Sequence, residues 1–375
     1  NVVTGRVTSF FHELESPRDL VHEWFTSYFE TGDEEAVFRR PSEYNSLESS
    51  MVQDYVKKYL DPFNANKIEL LPLPESKKPI WEDAKAREVK IEEAILTAHK
   101  RTTPVEEPSF VETFGDPESF EFNFPEPTKT FEMANGLEVV LYQDESLPLV
   151  TANCRFRDAE FFEKSKDGLA IKCMMDSLIE GSAGRTKTEN VDFFNALGAD
   201  YAFSSSGAGV SALNSNFFPA LERFFSVLRQ PVFAKNSLEK VKELFVSSYE
   251  RSHDSPRAVA MRVFANQVYR ETQFAWTFDD AIEITKGLEV SSAQALHRQN
   301  VQPKKMILCI AGSFNVEEME TKLNSLLSDW KGDAYLETSI CKPNFKPGGK
   351  IDVNMLRDQA ILIMGQPSEV TVYDE

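Results

Sequence analysis

The sequence predicts an α+β protein built from repeated domains, each with a mixed or antiparallel sheet and helices packed on one face. Three observations lead to this prediction. Strand-like and helix-like segments alternate along most of the chain. Asn135-Gly136 separates two short runs of alternating apolar residues, which is a strong hairpin signal. A set of short motifs also recurs at a nearly constant offset.

The internal repeat extends over nearly fifty residues in each copy. Ser-Pro-Arg occurs at 16–18 and 255–257, Glu-Thr at 30–31 and 271–272, Ser-Ser at 49–50 and 291–292, and proline at 62 and 303. In both copies Ser-Pro is expected to start a helix. Each Ser pair is an N-cap candidate for the next helix, at 51–60 or 293–301. A strand should follow at 67–71 and at 306–311.

The elements of the second unit can be predicted in order from hydrophobic periodicity and turn residues. The predicted strands are 130–132, 137–143, 149–157, 201–206 and 209–214. The predicted helices are 167–179, 188–197 with Thr188 as N-cap, 218–229, 237–252, 257–271, 293–301 and 316–330. Two further strands, 350–353 and 359–365, would open a third unit.

A proline-rich, charged segment separates the two copies and is expected to be a linker. Within it, 81–100 has the periodicity of a helix. This helix is interpreted as a solvated bridge, and the alternative is a helix that binds a partner.

Composition excludes some classes of protein. The 375 residues carry a formal net charge of −19, which argues against nonspecific binding to nucleic acid or anionic membranes. No apolar run approaches the ~20 residues of a membrane span. The spacing of Cys154, Cys173, Cys309 and Cys341 fits neither a zinc knuckle nor a dense disulfide framework, so buried thiols are expected. These features are compatible with a cytoplasmic, periplasmic or organellar protein.

One part of the second unit resembles the active-site region of a zinc peptidase family. The resemblance runs from Asn135-Gly136-Leu137 through Pro148-Leu149-Val150 to Ala196-Leu197-Gly198-Ala199, with Gly168-Leu169-Ala170 at the start of a helix. It is similar to the insulinase-like, or pitrilysin, family, whose inverted zinc motif is H-x-x-E-H. The fold that this resemblance implies is the insulinase-like (mitochondrial-processing-peptidase-like) α+β domain.

The resemblance implies that the zinc site is lost in this chain. The two His positions of the motif correspond to Ile171 and Met175, and the general-base Glu corresponds to Met174. The later Glu ligand corresponds to about Ser248. Ile and Met side chains do not replace imidazoles as ligands of Zn²⁺. We therefore expect no catalytic residue and no bound zinc or other cofactor here.

The family pattern implies a domain assignment. Residues 1–72 resemble the end of a second domain, 73–125 the linker between two halves, 126–340 a noncatalytic third domain, and 341–375 the first strands of a truncated fourth. The parent would be a zinc metallopeptidase that hydrolyses peptides in a closed chamber, with its zinc in the N-terminal half. The expected partners are that catalytic half, or a catalytic partner subunit, and peptide substrates.

Two other classes stay open. The first alternative is a catalytically inactive relative that serves as a structural or partner subunit of a larger assembly. The second is an unrelated α+β binding protein, which would require both the repeat and the family resemblance to be accidental. An upstream H-x-x-E-H in the gene would favour the peptidase.

Other candidate sites have simpler explanations. Met174 and Met175 could form a soft-metal site but are better explained as core. His12, His22, His99, His253 and His297 include no pair at i, i+4, and no G-x-S-x-G elbow marks a serine hydrolase. The segment 204–209 is expected to be a hairpin turn, with contact to a peptide substrate as the alternative.

Overall fold

The computed structural model describes residues 2–60, 66–69, 71, 74–98, 125–157, 165–332, 349–355 and 360–365. The chain divides into two compact units. The larger comprises Asn1–Leu47 and Glu126–Glu375, and the smaller comprises Glu48–Pro125. Each described helix is too short or too polar to pass through a lipid bilayer. The domain boundaries given above stay predictions.

A six-stranded mixed sheet forms the centre of the larger unit. Its strands are β1 Lys129–Glu132, β2 Glu138–Gln143, β3 Leu149–Phe156, β6 Asp200–Phe203, β7 Gly207–Leu213 and β8 Met306–Gly312, and a short hairpin contains β4 Gly181–Ser182 and β5 Arg185–Thr186. The order across the sheet is β1-β2-β8-β3-β7-β6. The β2–β8 pair is parallel and the other pairs are antiparallel. The prediction of a mixed sheet is confirmed.

Helices cover one face of this sheet. The helices of the larger unit are α1 Val2–Glu13, α2 Pro17–Thr31, α3 Ala36–Asn45, α6 Lys166–Asp176, α7 Lys187–Leu197, α8 Asn214–Arg229, α9 Lys235–His253, α10 Pro256–Val268, α11 Phe278–Gly287, α12 Val290–Asn300 and α13 Val316–Leu327. The smaller unit contains α4 Ser49–Tyr59 and α5 Lys78–Ala98. Along β3, Ala152 and Cys154 are buried while Asn153 and Arg155 are exposed. This alternation places one strand face in the core and leaves the other open.

The Asn135-Gly136 turn joins β1 and β2 as predicted. Gly136 has φ +83°, a conformation that glycine adopts without steric cost. Asn135 Oδ1 accepts a hydrogen bond from the Leu137 backbone N–H at 3.2 Å. Its amide nitrogen donates to the carbonyl of Leu327 at 2.8 Å, which ties the turn to the end of α13.

The repeat predicted from sequence reappears as repeated local structure. Ser16 caps α2 by accepting from the N–H of Asp19, and Ser255 caps α10 by accepting from the N–H of Ala258. Helices α4 and α12 are both 11 residues long and begin 241 positions apart. The two Ser pairs, however, are not the N-caps. Glu48 and Glu289 hold those positions. A carboxylate there interacts favourably with the positive end of the helix dipole.

Three other sequence predictions need correction. Thr186, not Thr188, caps α7, because only Thr186 forms the reciprocal capping box with Glu189. Helix α11 was not predicted, although Thr277 caps it in the same way. The described residues of 67–71, 350–353 and 359–365 form no strand. A strand requires backbone partners, and none of the described strands pairs with these segments.

Candidate functional site: a helix pair without ligands and an open sheet face

The positions that would carry the inverted zinc motif lie on α6. Ser165 starts this helix by accepting a hydrogen bond from the N–H of Gly168 at 3.1 Å. Ile171 is 5% exposed, and Met174 and Met175 are fully buried. All three belong to the main hydrophobic cluster. These side chains offer no imidazole or carboxylate, so the residues present do not fit a zinc ion.

Helix α9 packs against α6, as a ligand-bearing second helix would need to do. Ser248 lies exposed on α9. Its neighbour Tyr249 is half-buried and interacts electrostatically with Cys173 and Asp176 of α6. The position predicted to correspond to the later Glu ligand is therefore bordered by a phenol and not by a carboxylate.

Electrostatics between the two helices favour neutral groups. Burial raises the pKa of the Cys173 thiol to about 12, and nearby Asp176 acts in the same direction. Desolvation likewise raises the pKa of Tyr249 to about 12. Packing also desolvates the Asp176 carboxyl and raises its pKa, although its side chain still reaches solvent. Because the thiol and phenol stay protonated at neutral pH, neither is poised as an anionic ligand or nucleophile.

The turn after α6 is held by a buried polar network. Ser182 and Asn190 are both fully buried, and the Asn190 amide donates to Ser182 Oγ at 3.0 Å. Arg223 donates to Asn190 Oδ1 at 3.2 Å and lies over the ring of Phe193 at 4.0 Å. The network fixes the β4–β5 hairpin. The Asn190 amide and the Arg223 guanidinium donate to acceptors within the network, as expected for a structural turn.

The sheet face opposite the core forms a shallow groove of about 650 Å³ across β3, β6 and β7, and α1 covers part of this face beside Ser211. Its floor is made of small and polar side chains, which include Thr151, Asn153, Ser211 and Ala202. Gly209 lies opposite Asn153 in the β3–β7 register. A floor of this kind leaves room for an extended peptide and fixes no particular side chain.

Helix α1 reaches the edge of this groove. His12 Nε2 lies 3.2 Å from Ser211 Oγ and 3.7 Å from Asp200 Oδ2, and His12 Nδ1 lies 3.3 Å from Glu15 Oε1. The chain of hydroxyl, imidazole and carboxylate resembles a catalytic triad in composition. Ser211, however, is buried in the middle of a strand and shares its hydroxyl with Thr151 Oγ1 at 2.8 Å. A triad nucleophile instead requires an exposed Oγ beside oxyanion donors.

Sequence reasoning did not foresee the His12–Ser211 contact. The two residues are 199 positions apart and belong to no common motif. The other described histidines lie apart from the groove. His22 is exposed, His253 pairs with Asp279 at 3.3 Å, and buried His297 bonds the carbonyl of Leu228. His99 lies outside the described residues.

The predicted hairpin turn at 204–209 is present. The N–H of Ser204 donates to the carbonyl of Gly207 at 2.8 Å, and the Ser204 hydroxyl donates to the same carbonyl at 2.9 Å. This turn joins β6 to β7 and lines one end of the groove. Among the described residues, no three His, Cys, Asp or Glu side chains converge as metal ligands. Of the thiols, Cys154, Cys173 and Cys309 are free, and Cys341 lies outside the described residues.

The fold is an α+β domain in which apolar side chains occupy the positions that the sequence resemblance aligned with the zinc motif. Residues 288–373 match the family model "Peptidase M16 inactive domain". A Rickettsia felis protein described as an uncharacterized zinc protease is 19% identical over 242 residues, which cover 62% of this chain and 57% of the relative.

Two solved structures are similar. One is a protease from Helicobacter pylori, with TM-score 0.52, 14% identity, and coverage of 59% of this chain and 55% of the other. Another is the peptidase M16 inactive domain from Pseudomonas fluorescens, with TM-score 0.49, 19% identity, and coverage of 58% and 53%. The chain thus spans a little over half the length of the relatives it matches. The resemblance to insulinase-like (M16) peptidases is confirmed, through the inactive domain of that family.

Proposed function

We propose that this chain is the noncatalytic part of a zinc-dependent metallopeptidase and that its open sheet face forms one wall of a chamber for peptides. The zinc and the general base are supplied by a separate catalytic half of the same polypeptide, or by a catalytic partner subunit. On its own the chain hydrolyses no peptide and binds no zinc.

One observation carries the proposal. Helices α6 and α9 pack against each other, and the residues aligned with the zinc motif, Ile171, Met174 and Met175, are buried core side chains. The domain assignment of residues 1–72, 73–125, 126–340 and 341–375 belongs to this proposal. It makes residues 73–125 the connection between the two halves.

The role of the groove follows from its lining. Asn153 is exposed on the open face of β3, and the neighbouring β7 positions are glycines or small polar residues. The edge of β6 is open to pairing with an extended chain, because β6 pairs only with β7 in the described sheet. The substrates are therefore peptides held along the sheet. Recognition by the backbone would make this wall tolerant of sequence.

The test compares this chain with the complete gene product. We expect the complete product to carry about one zinc per catalytic site and to cleave internally quenched peptides, with chelator-sensitive activity. We expect this chain alone to do neither. Asn153→Trp in the complete product should lower kcat/KM for long peptides without changing zinc content. Asp192→Trp, at an exposed position of α7, is the matched control.

Different outcomes separate the two functional classes. A complete product without zinc and without peptidase activity would contradict the enzyme proposal and leave the structural-subunit alternative. Normal zinc and activity with no effect of Asn153→Trp would contradict the chamber-wall role of the groove alone.

A further inference from the structure

Arg262 of α10 is a half-buried cation that pairs with no carboxylate among the described residues. Its Nη2 donates to the carbonyl of Phe274 at 2.7 Å, and its guanidinium lies 4.0 Å from the centre of the Trp276 ring. Burial lowers the pKa of Arg262, and no described acid opposes that effect. A positive charge that has lost hydration needs hydrogen bonds or a nearby anion in return. The surroundings of Arg262 supply only part of this compensation.

Arg229 in the same unit shows which part is missing. It also lies over a tryptophan, 5.3 Å from the centre of the Trp330 ring, and it also donates to a backbone carbonyl, that of Leu326 at 2.8 Å. The Nε of each arginine is buried without a hydrogen-bond partner among the described residues. The two sites differ in one group, because Nη2 of Arg229 bonds Asp329 Oδ1 at 2.8 Å. Arg262 lacks the corresponding carboxylate.

A second hydrogen-bond donor lies beside Arg262. Asn266 follows one turn later on α10, so the two side chains share a face of the helix. Asn266 Oδ1 accepts from the backbone N–H of Trp276 at 3.0 Å. Among the described residues, neither the Asn266 amide nitrogen nor Arg262 Nη1 donates to a partner, and neither atom is among the buried unpaired ones. Both can therefore donate to a group that arrives from solvent.

We propose that Arg262 and Asn266 form a binding site for a carboxylate group, with Trp276 holding the guanidinium plane in place. A planar monoanion matches the charge and the donors of one guanidinium, whereas a phosphate dianion would keep an uncompensated charge. The site lies beside α9, because Trp276 meets Tyr249 edge to face at 6.5 Å. The inference rests on the proposed function only in taking the carboxylate from a peptide, either from its C-terminus or from an acidic side chain.

The first test measures thermal unfolding of this chain with sodium acetate as the probe, against sodium chloride at equal ionic strength. Acetate should raise the melting temperature of the parent more than chloride does, because a ligand of the folded state stabilises it. Arg262→Met should raise the acetate Kd at least about tenfold, and Asn266→Ala about threefold. Arg229→Met removes an arginine that already has its carboxylate, so it is the matched control and should keep the acetate effect.

Arg262→Lys keeps the charge and covers the case in which Arg262→Met does not fold. It lacks the planar fork that stacks on Trp276, so it should also bind acetate more weakly than the parent. An acetate effect that is absent from the parent, or equal in the parent and in Arg262→Lys, would overturn the proposal.

The second test identifies the source of the carboxylate by fluorescence anisotropy with three labelled hexapeptides. One has a free C-terminus, one is amidated, and one is amidated but carries an internal Glu. Tighter binding of the first assigns the site to a peptide C-terminus, and tighter binding of the third assigns it to an acidic side chain. Equal affinity of all three would overturn the proposal.

The carboxylate site and the proposed function can fail separately. Acetate binding that depends on Arg262, in a protein whose complete gene product lacks zinc and activity, would uphold the site and refute the proposed function. An active zinc enzyme whose C-terminal part does not distinguish acetate from chloride would do the reverse.

Discussion

If Met174 and Met175 are core residues that replace a metal site, truncating either should cost as much as truncating any fully buried methionine. Both are 0% exposed and belong to the main hydrophobic cluster. Met→Ala at such sites costs about 2–5 kcal/mol, because transfer and cavity terms add. For a unit of this size, about 3 kcal/mol corresponds to a fall of about 6–12 °C in melting temperature.

The assay is urea unfolding of this chain followed by circular dichroism, with Met174→Ala and Met175→Ala measured separately. Two controls lie on the same helix. Met175→Leu keeps most of the volume and should cost less than about 1.5 kcal/mol. Lys172→Ala removes a side chain that is only partly buried and should stay within about 0.5 kcal/mol. Losses below about 1 kcal/mol for both alanine variants would refute the reasoning, since the methionines would then border an open cleft.

Three further outcomes are expected in the same chain. Thr186→Ala removes a capping box and should lower the free energy of unfolding by about 1 kcal/mol. The control is Thr188→Ala, which removes no cap and should change that free energy little. Equal effects of the two variants would contradict the capping assignment. Gly198→Ala should lower the free energy of unfolding, because φ is +62° and a Cβ would lie 2.9 Å from the Thr4 backbone. Faster protease cleavage within α1 would report that α1 has detached from α7. Unchanged cleavage and stability would contradict this packing. Burial lowers the pKa of His297 in the folded chain. Below about pH 6.5 the unfolded chain therefore binds a proton at this imidazole before the folded chain does, and the free energy of unfolding falls with pH. His297→Gln should weaken that acid dependence in parallel denaturation curves, and identical pH profiles would exclude His297 as its source.

Local signals in the sequence were sufficient for much of the fold. The Asn135-Gly136 hairpin, the Ser16 and Ser255 caps and helix α6 depend on residues within a few positions of one another, so they could be predicted. The caps of α4 and α12 were misassigned because Ser and Glu both occur in the first positions of helices, and adjacent candidates shift the predicted start by one or two residues.

Features that depend on distant partners could not be predicted in this way. The strand expected at 67–71 has a suitable composition but no pairing partner among the described strands. In the candidate site, the correspondence of Ile171, Met174 and Met175 to the zinc motif came from aligning one motif and stays a prediction, while their burial is observed. By contrast, the approach of His12 to Ser211 depends on how α1 packs on α7 and β3, and no local pattern encodes it.

The position of β8 has a consequence for how the protein is made. Residues 306–312 end the sheet in sequence but lie between β2 and β3 in space, where Glu138 pairs with Ile307 and Cys154 with Leu308. Until the ribosome has released residue 312, β2 and β3 lack their shared neighbour and expose unpaired edges. Such late, nonlocal closure slows folding and favours aggregation of the incomplete chain. Nascent chains that stop before residue 306 should therefore depend on chaperones far more than chains that extend past β8.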